Sequence, residues 1–212
     1  QDFAYEYGRG VRRCDTEKIT QSKKDVGDNL LLYGDRCIMC TRCVRFTQEI
    51  TGTSELYVSG RGAAEEIDVF PGVGLNNELS GNVVDICPVG AFLDKDFLFQ
   101  QRVWFLDKVP SIDPITSSGD NINIEYNEGK IYRVKPRENQ EINQYWITDE
   151  VRFGWKFVHD QNRVTEKTEN AETEAAELLK NASSVALLVS PMMSCEDAWL
   201  LGKLVRSVDS EA

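Results

Sequence analysis

Cys37-Ile38-Met39-Cys40-Thr41-Arg42-Cys43, with Cys87-Pro88 further along, is the stretch on which the reading of this chain turns. The spacing is C-x2-C-x2-C, and 43 residues separate Cys43 from Cys87. Two-residue spacers let one short loop present three thiolates to a compact core. A fourth thiolate then closes the core from elsewhere in the fold. The proline after it holds the chain extended and removes an amide hydrogen. The pattern points to a single iron–sulfur cubane, a 4Fe–4S cluster, with Cys37, Cys40, Cys43 and Cys87 as its metal ligands. A cubane closed by four protein thiolates leaves no iron open to a substrate, so the site suits electron transfer.

Three other uses of such cysteines are weaker. Structural zinc usually pairs two C-x2-C knuckles or mixes in histidine, and a three-cysteine ladder suits one tetrahedral ion less well. Disulfides between cysteines two residues apart in series meet poor geometry. Radical-forming clusters use a C-x3-C-x2-C spacing with an open iron, and that spacing is absent here. Bacterial ferredoxins combine the same triple with Cys-Pro, two sets exchanging ligands between two clusters; one triple and one Cys-Pro imply one cluster.

The flanks are less decisive. Arg42 and Arg45 either raise the potential of a reduced cluster or form surface ion pairs, and the sequence leaves both open. Cys14, in a polar connector, reads as a surface or lightly buried thiol. Cys195, at the first turn of a helix, reads as a packing residue. The one histidine, His159, has no cysteine near it in sequence and reads as structural. Gly60-Arg61-Gly62 and Gly72-Val73-Gly74 lack the strand-before, helix-after setting of a nucleotide loop. A single histidine supports no Ser/His/Asp set.

The 212 residues carry 35 acidic against 24 basic side chains, net −11, which argues against nucleic acid as a partner. The longest apolar run, Val185 to Val189, is far short of the roughly 20 residues of a membrane-spanning helix, so no direct membrane insertion is expected. The opening Gln1-Asp2-Phe3-Ala4-Tyr5 has neither the form of a secretory signal nor a methionine, so the chain reads as processed or as a piece of something longer. Six cysteines, four of them in a metal pattern, indicate a reducing compartment.

Three zones follow, predicting an α+β protein. Residues 1–103 form the cluster domain. In it, Tyr7 to Arg13 is an exposed basic connector and Lys18 to Asp28 is solvated. Leu30-Leu31-Leu32-Tyr33 runs into the cysteines, and glycine-rich short strands lie between Gly52 and Gly81. Residues 104–163 form a small β-rich unit, with Ile122, Ile124 and Tyr126 sharing a face ahead of a hairpin turn at Asn127-Glu128-Gly129-Lys130. Trp146, Phe153, Trp155 and Phe157 are expected to pack it. Residues 164–212 begin an α/β domain. Ala171 to Ala182 is a helix capped by Asn170, with Ala175, Leu178 and Leu179 on one face. Val185 to Val189 is a buried parallel strand, and a second helix starts at a Ser194/Asp197 capping box.

Asp35 to Phe46 (DRCIMCTRCVRF), Gly60-Arg61-Gly62 and Leu79 to Ala91 (LSGNVVDICPVGA) together resemble the large iron–sulfur subunit of respiratory complex I, the 75-kDa type, found in bacterial NADH–quinone oxidoreductase as well. The likeness continues through Trp104, Pro110 to Ile112, Tyr132 to Val134, Pro136 to Glu138, Trp146 to Asp149 and Arg152-Phe153. The resemblance implies a ferredoxin-like 4Fe–4S domain, a β-rich domain and the start of a molybdopterin-oxidoreductase-like domain that has lost its cofactor. It implies an electron relay between flavin and quinone, catalytic only as a subunit of the oxidoreductase. Its partners would be the flavin-bearing NADH dehydrogenase subunits and the quinone-side hydrophilic arm. It would sit in the peripheral arm on the cytoplasmic face of a bacterial inner membrane, or on the matrix side of a mitochondrion. In this family two neighbouring clusters are bound earlier in the same polypeptide, and this chain would begin just after their ligands. Some members carry a further cubane in the second zone; the corresponding places here are Asp113, Thr116, Asp120 and Thr148, so that cluster is not expected. An electron-input subunit of a soluble hydrogenase or formate dehydrogenase, and a zinc-stabilised scaffold, are the alternatives.

Overall fold

The computed structural model describes residues 2–11, 13–15, 20–163 and 170–209. The backbone divides into two compact units, Gln1–Asn77 with Gly81–Leu98, and Glu78–Ser80 with Phe99–Ala212. Helices and sheets are mixed in the α+β manner. The expected start of a third zone, residues 164–169, lies outside the described residues, as do Gln1, Arg12, Lys18 and Ile19.

In the first unit a short helix, α1 (Asp2–Tyr7), buries nothing, and the described residues of the connector that follows are exposed. Strands β1 (Lys23–Asp25) and β2 (Leu30–Tyr33) pair antiparallel. Leu30 and Leu32 alternate with half-buried neighbours, so the apolar run ahead of the cysteines is a one-sided strand. Helix α2 (Arg42–Arg45) runs into a π-helical turn, Phe46–Ile50. The fully buried Thr47 sits there and donates from its hydroxyl to the Val44 carbonyl at 2.9 Å. Strands β3 (Leu56–Ser59) and β4 (Glu66–Val69) form a hairpin, the short-strand structure its glycines predict. Lys24 of β1 reaches that hairpin at Asp68 (2.6 Å) and Glu66 (3.1 Å). Helix α3 (Asn82–Ile86) leads to Cys87, and β5 (Phe92–Asp94) returns to β2 with Phe92 opposite Leu32. Thus the strands preceding the first ligand and following the last are neighbours in one sheet, order β1-β2-β5.

The second unit is built on the antiparallel sheet β6 (Asp107–Ile112), β7 (Asn121–Asn127), β8 (Lys130–Pro136). The predicted hairpin is present. Glu128 and Gly129 at its tip take φ of +49° and +77°, the left-handed pair of a type I′ turn. One face carries Ile122 and Val134, packed with Ile147, just ahead of α4 (Asp149–Phe153), and with Val151 within it. Trp155 joins that core from its edge, whereas Phe157, expected to pack, is exposed. Glu78 and Ser80 belong to this unit: the Asp149 N–H donates to the Glu78 carbonyl at 2.7 Å, and the Ser80 hydroxyl to the Asp149 carboxylate at 2.5 Å.

The last segment departs from expectation at one element. Residues 185–189 form no strand, and Leu188 is fully exposed. A parallel strand exists only through ladder partners, and among the described residues none pairs with this run. Helix α5 (Ala171–Asn181) follows Asn170, but the Asn170 side chain makes no capping hydrogen bond, and Leu178 is exposed. Helix α6 (Cys195–Val208) starts as expected, with the Asp197 N–H donating to Ser194 Oγ at 3.1 Å.

Glu125, at the middle of β7, is 1 % exposed. It stands in register between Lys108 of β6 and Arg133 of β8 and pairs with both, a three-charge row across the sheet. Breaking a buried charge row leaves a cation facing a void. Arg133 retains some solvent, which lowers the penalty, so Glu125→Ala is expected to cost about 2–3 kcal/mol, read as a lower urea midpoint in the tryptophan fluorescence of this unit.

Candidate metal centre

The four expected ligands are delivered by two short segments of the first unit. Cys37 follows a single 3₁₀ turn, Gly34–Arg36, at the end of β2. The loop from it to α2 is tightly wound: Met39 and Thr41 both take left-handed backbone angles, φ +53° and +58°. Such angles are uncommon for a non-glycine residue and a genuine outlier for β-branched threonine. Their effect is visible at Cys37, whose sulfur accepts the Met39 N–H at 3.4 Å. Cys43 lies inside α2 and is buried beside Val44. Cys87 ends α3, and its sulfur accepts the Ala91 N–H at 3.3 Å from the turn after Pro88. Helices α2 and α3 pack together, which brings the two segments to one place.

Electrostatics report the same convergence. Burial pushes the Cys43 thiol up to about 12; the Val44 backbone N–H works against this, and the charges of Cys37, Cys87 and Cys40 add to it. Two of the four sulfurs, those of Cys37 and Cys87, receive a backbone amide. The amides of Met39 and Ala91 are the participants that residue types alone could not reveal, because backbone donors leave no mark in side-chain chemistry. The left-handed angles that aim the Met39 amide carry no glycine to announce them.

Four thiols, one buried and three half-buried, with amides directed at two of their sulfurs, fit the needs of a cubane. No three His, Cys, Asp or Glu side chains among the described residues are gathered as ligands of one metal ion.

The other singled-out residues lie elsewhere. Cys14 and Cys195 are exposed; the packing role expected of Cys195 is therefore not its role. His159 accepts the Ile131 N–H through Nε2 at 2.9 Å, a structural contact that bridges the 3₁₀ turn after α4 to the start of β8. Arg42 and Arg45 are exposed, and neither forms an ion pair among the described residues.

Asp113, Thr116 and Asp120 are drawn together in the second unit. The Asp113 carboxylate accepts the N–H groups of Ile115 (2.7 Å) and Thr116 (3.0 Å) and the Thr116 hydroxyl, and its own N–H donates to the Asp120 carbonyl at 2.8 Å. Thr148 does separate work as the cap of α4, accepting the Val151 N–H. No cysteine lies between Cys87 and Cys195, so a four-cysteine site cannot be assembled from this unit.

Residues 27–93 match the family described as NADH-quinone oxidoreductase subunit 3, ferredoxin-like domain, and residues 106–156 match NADH-ubiquinone oxidoreductase NDSU1/NuoG-like, 4Fe-4S domain. The chain is 42% identical over 155 residues to the NADH-ubiquinone oxidoreductase 75 kDa subunit of Acanthamoeba castellanii, covering 73% of this chain and 23% of that protein. It is 34% identical over 224 residues to the 75 kDa subunit of the NADH-ubiquinone oxidoreductase of Reclinomonas americana, covering 99% of this chain and 32% of that protein. The chain belongs to the family of the 75 kDa, NuoG-like subunit of NADH–quinone oxidoreductase. It spans about a quarter to a third of the length of these relatives. A solved NAD+-reducing NiFe hydrogenase in its H2-reduced state overlaps with a TM-score of 0.33 at 27% identity, over 48% of this chain and 44% of that chain.

Two outcomes test the geometry. In the metal-free chain near pH 8.5, Cys14 and Cys195 should be alkylated first by iodoacetamide and Cys43 last, slower by about a hundredfold or more because the thiolate is the nucleophile; mass mapping of labelled peptides reads the order. Burial raises the Asp120 carboxyl, with a hydrogen bond from Ser118 opposing and the Asp113 charge assisting. A carboxyl raised on folding favours the fold while protonated, below its unfolded value, and that contribution is lost as pH rises through the folded value. Asp120→Asn should therefore gain melting temperature relative to the parent between pH 4 and pH 7.

Proposed function

We propose that Cys37, Cys40, Cys43 and Cys87 hold one 4Fe–4S cluster and that the chain relays single electrons through it, between the flavin side and the quinone side of an NADH–quinone oxidoreductase. The observation that carries this reading is that α2, which holds the buried Cys43, packs against α3, which ends at Cys87 from a distant segment. Thiols so placed repel one another when ionised, and iron among them offsets that repulsion.

When bound, such a cluster supplies a one-electron store without bond making or proton transfer. The chain's own part is to hold it. Cys37 and Cys40 belong to the wound loop, Cys43 anchors the buried side, and Cys87 closes the site from α3. The amides of Met39 and Ala91 donate toward sulfur, which favours added negative charge and raises the potential. Pro88 offers no amide hydrogen, and the Ala91 donor serves the Cys87 sulfur in that turn.

In this reading the chain is a working part of the enzyme and not its catalytic site. It docks the flavin-bearing subunits and the hydrophilic arm toward the quinone, in the peripheral arm on the cytoplasmic or matrix side of the membrane. Among the described residues no helix is long and apolar enough to cross a membrane. The proposed organisation remains a cluster domain over 1–103, a β-rich domain over 104–163 and the beginning of an α/β domain from 164.

Anaerobic purification followed by iron, sulfide and zinc analysis tests the assignment. About four irons and four sulfides per chain are expected for a cubane, with a spin-half resonance appearing on dithionite reduction. Cys43→Ala and Cys87→Ala should each abolish that resonance, and Cys14→Ala and Cys195→Ala should leave it intact. Zinc without iron in the parent protein would overturn the assignment.

A further inference from the structure

We propose that Arg36 is a positioning residue of the cluster site: bound to the Gly90 carbonyl, its guanidinium polarises the Gly90–Ala91 peptide and strengthens the hydrogen bond from the Ala91 N–H to the Cys87 sulfur, which raises the potential of the cluster. This rests on the cluster reading above. It adds the side chain that sets one of the sulfur contacts.

The first ground is a single peptide engaged at both ends. The Gly90 C=O and the Ala91 N–H belong to one planar amide, in which resonance joins oxygen to nitrogen. The oxygen accepts from the Arg36 guanidinium at 3.1 Å. The nitrogen donates to Cys87 Sγ at 3.3 Å. A cation at the oxygen draws electron density from the nitrogen, so the N–H becomes a stronger donor. Chained hydrogen bonds reinforce one another by about 10–30% per bond, and a charged donor at the head of the chain is the stronger kind. Arg36 therefore acts on the sulfur without touching it.

The second ground is that both ends of this peptide are held. Gly90 takes φ +61°, in the left-handed region that glycine enters at no steric cost. A Cβ there would meet no atom within 4 Å, so the backbone angle and not the space calls for glycine. That angle helps to set the direction of the peptide that follows. Ala91 is buried, and its carbonyl accepts the Tyr33 N–H at 2.8 Å. Tyr33 serves Arg36 as well: the guanidinium lies over its ring at 4.8 Å, and Lys23 meets the same ring at 4.7 Å. Arg36 ends the 3₁₀ turn immediately ahead of Cys37. One tyrosine thus steadies the cation through its ring and the sulfur's donor residue through its amide. Arg36 ties the segment entering the first ligand to the turn leaving the last.

The third ground is that the charge is not spent elsewhere. The adjacent carboxylate, Asp35, accepts the Gln21 N–H at 2.7 Å. Arg36 forms no ion pair among the described residues. Arg45 carries the same charge in the same ligand segment, but the hydrogen bond to the Cys87 turn is made by Arg36. Reduction adds one negative charge to the cluster, and a stronger N–H···S contact favours that state. Arg36 changes only this equilibrium; no bond forms or breaks, and no proton is transferred.

The test uses the whole chain, loaded with its cluster anaerobically and titrated with dithionite at about 500 mM salt, where surface charges are screened. Paramagnetic resonance of the reduced form reads the midpoint. Arg36→Met should shift the one-electron reduction equilibrium about threefold toward the oxidised form, a midpoint lower by about 28 mV at about 59 mV per tenfold. Arg45→Met, which removes the same charge, should stay within about 1.3-fold of the parent. Resonance Raman gives a second reading, with the cluster assembled in H2O or in D2O. The deuterium shift of the Fe–S(Cys) stretching bands should be smaller in Arg36→Met than in the parent. An unchanged midpoint in iron-loaded Arg36→Met would overturn the proposal. So would an equal midpoint shift in Arg45→Met, or an unaltered deuterium shift in Arg36→Met, since either leaves only the arginine's charge at work. If Arg36→Met holds no iron, Tyr33→Leu removes the ring and keeps the backbone N–H, and it should shift the equilibrium about twofold in the same direction. No shift there overturns the proposal. A parent chain without iron sinks the cluster reading itself, an outcome distinct from an iron-loaded parent whose midpoint Arg36 does not move.

Discussion

Four sulfurs brought to one place from two segments repel one another whenever they carry charge, and the first unit is organised to hold them there nonetheless. The sheet β1-β2-β5 places the chain entering the first ligand beside the chain leaving the last. Helices α2 and α3 then close over the gap. The left-handed turns at Met39 and Thr41 keep the loop between the first three cysteines short and direct an amide to sulfur. Each such angle costs about 1–3 kcal/mol, and the surrounding packing sustains two of them within three residues. The buried Cys43 sits at the bottom of this arrangement, where its ionisation is least favoured without metal.

The cysteine pattern was legible because cluster ligation depends on side-chain identity and spacing, both of which a sequence displays directly. The hairpin at Glu128-Gly129 was legible for a similar reason: two residues between alternating apolar runs, one of them glycine, leave few other turns. Residues 185–189 were not. An apolar run states that burial is favourable, but a strand is made by its neighbours, and no described residue supplies a ladder there. Glu125 was hidden in the opposite sense. Nothing in a local window distinguishes a solvent-facing glutamate from one held in register between Lys108 and Arg133; that requires knowing which strands pair. The packing aromatics were half legible, since Trp155 does pack while Ile147, an unremarked aliphatic neighbour of Trp146, lies deeper in the core.

The polar loop of the second unit is held by its own side chains. Asp113 organises the turn after β6 by accepting two backbone amides and a hydroxyl. Thr148 caps the start of α4, accepting the Val151 N–H. Local hydrogen bonds of this kind satisfy backbone donors that would otherwise be costly to bury, so the loop is stabilised by its own side chains.

Glu78–Ser80 is assigned to one unit while the residues on both sides of it are assigned to the other. The boundary at Leu98 is therefore not a seam along which a gene could be cut. A piece beginning at Phe99 would lose the Glu78 carbonyl and the Ser80 hydroxyl that Asp149 uses. A piece ending at Leu98 would carry the same three residues, without that support, a few positions ahead of Cys87. Shuffling by a single crossover would damage both halves at once. A single cut at Leu98 therefore parts Asp149 from two of its hydrogen-bond partners.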